Sequence, residues 1–138
     1  MKVVFDTNVF IAESLGGETA QRILASTERA SWRIYISQYI LNEVTSVMTE
    51  DLGLPRRSAR LAVVRALRRA KFVEPIPSRH AVPQDDADSE ILRTALRAGA
   101  HYLVTNDRHL LALHPYESVQ IVSMAEYRRI LEEQDLFV

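Results

Sequence analysis

The fold is decided by the stretch Val3-Val4-Phe5-Asp6-Thr7-Asn8-Val9-Phe10-Ile11. Its first three residues are β-branched or aromatic, which is typical of a buried strand, and this apolar run stops at Asp6. The side chains of Thr7 and Asn8 can cap a helix, and apolar residues resume at Val9. The stretch therefore predicts a strand that ends on a carboxylate and leads directly into a helix.

The same succession of strand and helix recurs along the chain. Short apolar runs predict further strands at 33–37, 72–73, 102–105 and 119–122. Residues at a helical period predict helices at about 20–30, 38–53, 55–71, 86–98 and 110–113, with a last helix after Ser123. Strands that are almost wholly apolar and alternate with helices indicate a parallel sheet covered on both faces. We predict an α/β fold, a three-layer α/β/α sandwich around a mainly parallel sheet of about four to five strands.

The composition excludes several classes of protein. With 138 residues and no internal linker, the chain is expected to form a single domain over 1–138. The 17 basic and 18 acidic residues nearly cancel, and 47% of the residues are hydrophobic, which excludes disorder. No hydrophobic run exceeds four residues, and Asp6 interrupts the apolar start, so neither a membrane span nor a signal peptide is expected. We expect a soluble, cytoplasmic protein.

Metal ligands in this chain must be carboxylates, histidines or carbonyls, because the sequence contains no cysteine. Asp6 and Asp107 directly follow predicted strands, and parallel strands end at the edge of the sheet where ligands bind. Asp88 begins a helix after a proline-containing connector (Pro75, Pro77, Pro83), and Glu43 lies among apolar helical residues. Taken singly, the aspartates also suit helix N-termini, and Glu43 suits a solvated or ion-paired position.

Four carboxylates in one pocket would repel one another. Raised pKa values or a bound cation would relieve that repulsion, and a hard divalent ion such as Mg²⁺ or Mn²⁺ is the simpler solution. Such an ion activates water and stabilises charge on a phosphoryl group. The segment 55–71 also carries seven basic residues and no acid. It is interpreted either as a phosphate-binding face or as a solvated helix.

Four segments, in order, resemble the motifs of PIN-domain nucleases, the fold shared by VapC-type toxins. These segments are Val4-Phe5-Asp6-Thr7-Asn8-Val9, then 37–44, 88–95 and 102–107, and residues 119–127 resemble the closing strand and helix. The resemblance covers nearly the whole chain. It implies a metal-dependent endoribonuclease that hydrolyses RNA and leaves 5′-phosphate and 3′-hydroxyl ends.

The resemblance also implies roles for individual residues. The catalytic and Mg²⁺- or Mn²⁺-binding residues would be Asp6, Glu43, Asp88 and Asp107, supported by Asn8 and Thr105. Where family members often carry a further acid, this chain has His109, so a second metal binds weakly or His109 contacts a substrate phosphate. Asp86 is the alternative to Asp88. The candidate substrate-binding residues are Arg56, Arg57, Arg60, Arg65, Arg68, Arg69 and His109.

Partners and biological role follow from the same resemblance. It favours a homodimer and, for a toxin, a protein antitoxin whose segment blocks the acidic pocket. Three functions remain open: the toxin of a type II toxin–antitoxin pair, a PIN nuclease that processes or degrades RNA without an antitoxin, and a catalytically silent module that binds RNA or protein. The presence of all four acids favours the two enzymatic functions.

Overall fold

A five-stranded sheet lies at the centre of the molecule. The computed structural model describes residues 1–75 and 86–138. The strands are β1 Lys2–Phe5, β2 Arg33–Ile36, β3 Ala70–Phe72, β4 Tyr102–Val104 and β5 Gln120–Val122. They lie in the order β3-β2-β1-β4-β5, and all four neighbouring pairs are parallel. The carboxyl ends of the five strands therefore lie along one edge of the sheet, which we call the carboxyl edge.

Helices cover both faces of this sheet. They are α1 Thr7–Ser14, α2 Glu18–Arg29, α3 Gln38–Ser46, α4 Arg56–Arg69, α5 Asp86–Ala98, α6 Arg108–Leu111 and α7 Met124–Glu133. From β1 to β3 the chain moves in one direction across the sheet, and from β3 to β5 it moves in the other. Right-handed crossovers consequently place α5 and α6 on the face opposite α1 to α4. The predicted α/β fold with a parallel sheet flanked by helices is confirmed.

Burial of β1 fixes the position of the first polar residue after it. The side chains of Val3, Val4 and Phe5 are fully buried. The Phe5 ring packs edge-on against the rings of Phe10 in α1 and Tyr127 in α7. A shift of β1 by one residue would move each of these side chains to the opposite face of the sheet and break this ring packing, so the packing determines the register. The carboxylate that follows Phe5 is therefore held at the carboxyl edge.

Three local predictions were wrong in detail. Asp6, rather than Thr7 or Asn8, caps α1. The helix predicted at 38–53 is α-helical only to Ser46 and continues as a π-helical segment, Val47–Asp51. In this region the hydroxyls of Thr45 and Thr49 donate to carbonyls four residues earlier, a contact that bends helices.

Strand β3 begins earlier than predicted. The sequence pattern placed a helix up to residue 71 and a strand at 72–73, whereas α4 ends at Arg69 and Ala70 already pairs with Ile34 of β2. Pairing with the neighbouring strand thus overrides the helical propensity of Ala70 and Lys71. Most of the predicted proline connector lies at 76–85, outside the described residues. Among the helices that the structure does describe, none is long and apolar enough to cross a membrane.

Candidate metal centre

Asp6 occupies the carboxyl edge between β1 and α1. Its side chain is 6% exposed. One carboxylate oxygen accepts a hydrogen bond from the N–H of Thr7 at 2.7 Å, and the other accepts one from the hydroxyl of Thr105 at 2.6 Å. Burial raises the pKa of Asp6; these two hydrogen bonds oppose the rise, and the nearby carboxylates of Glu43 and Asp107 add to it. Asp6 is therefore an acid whose ionised form a cation would stabilise.

Thr105 links Asp6 to Asp107. It lies fully buried immediately after β4, and its backbone N–H donates to the carbonyl of Val122 at 2.9 Å. Besides donating to Asp6, its hydroxyl oxygen accepts a hydrogen bond from the N–H of Asp107 at 3.0 Å. One hydroxyl thus positions the acids that follow two neighbouring strands.

A second group of potential ligands forms around Asp107. Its Oδ1 accepts hydrogen bonds from the backbone N–H groups of His109 at 2.8 Å and Leu110 at 3.3 Å, so Asp107 caps α6. One ligand atom each from Asp88, Asp107 and His109 lies within 4.8 Å of the other two. Asp88 is buried in the first turn of α5, whereas His109 is exposed. Two carboxylates and an imidazole at this spacing could hold one divalent cation.

Glu43 approaches the same edge from α3. This helix follows β2 directly and is capped by Ser37. The hydroxyl of Tyr39, one turn earlier, donates to Oε2 of Glu43 at 2.6 Å. The charge of Glu43 adds to the raised pKa of Asp6.

The four acids differ in how closely they approach one another. Asp107 lies close to Asp88 and His109, while Glu43 and Asp107 affect Asp6 through their charges. Among the described residues, the close group of ligand atoms consists of Asp88, Asp107 and His109, and Asp6 and Glu43 are not part of it. Asp6 is connected to this group through the Thr105 hydroxyl, which bonds both Asp6 and the backbone N–H of Asp107. A set of carboxylate oxygens and one imidazole nitrogen is a ligand set that fits Mg²⁺ or Mn²⁺.

Other residues predicted for the site lie in different surroundings. Asn8 is exposed in the first turn of α1, and its side chain makes no hydrogen bond to another described residue. Asp86 is exposed at the start of α5, two residues before the buried Asp88. Sequence reasoning missed Asn106, whose side-chain carbonyl accepts the N–H of Met124 at 3.0 Å and so ties the site loop to α7.

The arginines of α4 lie in different surroundings. Arg69 forms ion pairs with Glu13 and with Glu28, the latter at 2.6 Å, and Arg65 donates to Ser14 at 3.3 Å. Glu13 and Ser14 end α1, whereas Asp6 begins it, about 10 Å away along the helix axis. Arg69 is thus bound to α1 and α2 instead of being available to a phosphate.

The remaining arginines predicted to bind substrate are exposed. These are Arg56, Arg57 and Arg60 in the first half of α4, and Arg68 near its end. Arg68 directly precedes Arg69 and β3, so it lies at the amino edge of the sheet, opposite the acids. Among these exposed arginines, those that lie away from the amino edge are therefore the ones in the first half of α4.

Comparison with protein families identifies the class of this protein. Residues 2–109 match the model of the PIN domain, a segment that runs from β1 to His109 and contains all four acids. The chain belongs to the PIN domain family, whose members are generally nucleases and typically use a divalent metal ion. A search of curated proteins found no match to the chain.

Proposed function

We propose that this protein is a Mg²⁺- or Mn²⁺-dependent endoribonuclease that hydrolyses RNA phosphodiester bonds. The proposed catalytic metal ligands are Asp6, Glu43, Asp88 and Asp107. The observation that carries the proposal is the close group of Asp88, Asp107 and His109, together with the Thr105 hydroxyl that connects Asp107 to Asp6. We choose Asp88 over Asp86 because Asp88 is buried beside Asp107, whereas Asp86 is exposed.

The chain's own residues prepare the site for a cation. Thr105 holds Asp6 and Asp107 in fixed orientations through one hydroxyl, and Tyr39 does the same for Glu43. Because burial raises the pKa of Asp6, binding of a cation is expected to release a proton from the site at acidic pH. When bound, the ion supplies Lewis-acid stabilisation of the charge that develops at phosphorus and lowers the pKa of water.

His109 affects which metal ion the site prefers. Imidazole is a ligand for transition metals more than for Mg²⁺, whereas carboxylates accept both Mg²⁺ and Mn²⁺. A site of two aspartates and one histidine is therefore expected to favour Mn²⁺ over Mg²⁺ more strongly than an all-carboxylate site would. The same side chain is 60% exposed, so it is also accessible to a substrate phosphate.

Cleavage of a mixed RNA pool by the purified chain tests the proposed activity. We expect Mg²⁺- or Mn²⁺-dependent cleavage that is lost in Asp6→Asn and Asp88→Asn. Asp86→Asn is the matched control, because it removes an exposed carboxylate from the same helix, and it should retain activity. Cleavage that persists in Asp6→Asn, or that survives removal of divalent ions, would contradict the assignment. RNA binding without cleavage would favour a catalytically silent module.

As a biological role, we propose the toxin of a type II toxin–antitoxin pair, acting in the cytoplasm as a homodimer that a protein antitoxin inhibits. Support for a protein partner comes from α4, which exposes Leu61, Val64 and Leu67 at helical spacing. Growth arrest on expression, relieved by the product of a small overlapping upstream reading frame, would support this role. Absence of both effects would favour a PIN nuclease that processes or degrades RNA.

A further inference from the structure

A groove of about 390 Å³ lies between α3, the π-helical segment and the start of α4. Two arginines, Arg56 and Arg60, contribute its basic wall. The facing wall carries the amide of Asn42 and three hydroxyls, those of Thr45, Ser46 and Thr49. This groove lies outside the group of acids described above.

The groove begins next to Glu43. Ser46 lies three residues after Glu43 on the same helix, and residues at that spacing face the same side, about 5–6 Å apart at their Cβ atoms. Since α3 starts at the carboxyl edge and runs away from it, the groove leads from the acids toward the π-helical segment. A chain bound across the acids could continue directly into it.

The charges of the groove suit a polyanion. Arg56 and Arg60 are one turn apart on α4, both are exposed, and neither forms an ion pair with another described residue. The side-chain N–H groups of Asn42, opposite them, can donate to a phosphate or sugar oxygen. The hydroxyls of Thr45, Ser46 and Thr49 already donate within the protein, so toward a bound strand they act as acceptors. One carboxylate, that of Glu50, also lines the groove and accepts the hydroxyl of Ser46 at 3.0 Å. With two arginines against one glutamate, the net charge of the lining is positive.

The described lining of the groove offers no ring on which a base could stack, because none of its residues is aromatic. Backbone contacts position a nucleic acid without reporting its sequence. The groove is therefore suited to the sugar–phosphate backbone of a strand whose bases point elsewhere.

We propose that this groove binds the backbone of single-stranded RNA next to the scissile phosphate, with Arg56 and Arg60 each contacting a phosphate. This inference rests on the proposed nuclease function. It separates the arginines of α4 by role: the pair in the groove binds substrate, whereas Arg69 stabilises the fold through Glu13 and Glu28. Glu50 weakens binding by repulsion and keeps the contact reversible.

Salt-dependent binding of a fluorescent single-stranded RNA tests the proposal, measured with Asp6→Asn protein so that the RNA remains intact. Arg56→Ala/Arg60→Ala should weaken binding about tenfold per arginine. It should also reduce the slope of log affinity against log salt by about 1.4, since each phosphate contact on a single strand contributes about 0.7. Glu50→Gln should change affinity in the opposite direction.

The matched control is Arg29→Ala/Arg33→Ala. It removes the same charge from two exposed positions at the amino edge of the sheet, so it should leave the salt slope unchanged. Equal losses in the two double variants would show a general charge effect and overturn the proposal. Unchanged RNA binding by the groove variant would also overturn the proposal. This holds even if the variant loses binding to a protein partner, because the groove would then be a protein-binding site.

The same measurements separate this proposal from the proposed activity. If the parent chain cleaves RNA but the groove variant binds RNA normally, only the groove assignment fails. If the parent chain cleaves no RNA and the groove variant still loses binding and salt slope, the nuclease function fails and the groove assignment stands.

Discussion

Replacing Thr105 with valine tests how the acids are held in place. Valine has nearly the same shape, so the change removes little except the hydroxyl. That hydroxyl donates to Asp6 at 2.6 Å and accepts from the N–H of Asp107 at 3.0 Å, in a fully buried position. The substitution therefore leaves a buried carboxylate oxygen and a backbone N–H without their partner.

The expected cost follows from these two contacts. A lost hydrogen bond to a charged group costs about 1.5–3 kcal/mol and one to a backbone N–H about 1 kcal/mol, so the free energy of unfolding should fall by about 2.5–4 kcal/mol. The Thr105 hydrogen bond also lowers the pKa of Asp6 against the effect of burial, so its loss raises that pKa further. Since the ligand must be ionised, metal affinity should fall by about 10–100-fold, most strongly at acidic pH.

Urea unfolding in EDTA and calorimetric titration with Mn²⁺ measure the two effects separately. Thr105→Ser is the matched control, because it keeps the hydroxyl and loses only a methyl group, at a cost of about 1 kcal/mol. Its Mn²⁺ affinity should stay close to that of the parent chain. If valine left stability and Mn²⁺ affinity unchanged, or if serine weakened Mn²⁺ binding as much as valine, the bridging role of Thr105 would be refuted.

Three further predictions concern individual side chains. The raised pKa of Asp6 favours its protonated form in the fold, so the metal-free chain should lose stability relative to Asp6→Asn as pH rises above about 4. Melting temperatures measured against pH would contradict this if those of the two proteins changed in parallel. His109→Asp should shift selectivity toward Mg²⁺, and an unchanged ratio of Mn²⁺ to Mg²⁺ affinity would exclude His109 as a ligand. Arg69→Ala leaves the buried Glu13 without this ion pair and should destabilise the chain by about 3 kcal/mol, while cleavage per folded molecule stays unchanged. Reduced cleavage by stably folded Arg69→Ala would instead give that arginine a role in substrate binding.

The fold was predictable because the apolar pattern of each element is strong. The fully apolar run before Asp6 is compatible with a strand buried on both faces, and β1 is such a strand. Element boundaries were less predictable, because pairing with a neighbouring strand decided them. Ala70 has a high helical propensity but lies in β3, opposite Ile34, a contact between residues far apart in the sequence.

The placement of Asp6 and Asp107 could be predicted from the order of the strands, whereas the hydrogen bonds that hold the acids could not. Parallel strands end at one edge, so Asp6 and Asp107 could be expected to lie near each other. The two hydrogen bonds of the Thr105 hydroxyl depend on the orientation of its side chain, which cannot be inferred from the hydrophobic pattern of the sequence. A tyrosine four residues before Glu43 is a signal that could have been used, since such pairs meet on a helix.

The contacts of the arginines of α4 could not be predicted from the sequence either. Their charge is visible in the sequence, but their partners are not. Arg69 pairs with Glu13, 56 residues away, while Arg60 faces a groove on α3. Contacts over such distances arise only when α1, α3 and α4 pack together, and composition alone treats all of these arginines as equivalent.

The role of Asp107 as a metal ligand is tested most directly by Mn²⁺ binding to metal-free protein at neutral pH, followed by electron paramagnetic resonance. The parent chain and Asp86→Asn are expected to bind Mn²⁺ equally well, and Asp107→Asn, checked for folding by circular dichroism, is expected to lose binding. Folded Asp107→Asn protein that binds Mn²⁺ as tightly as the parent chain would contradict a metal centre built around this residue.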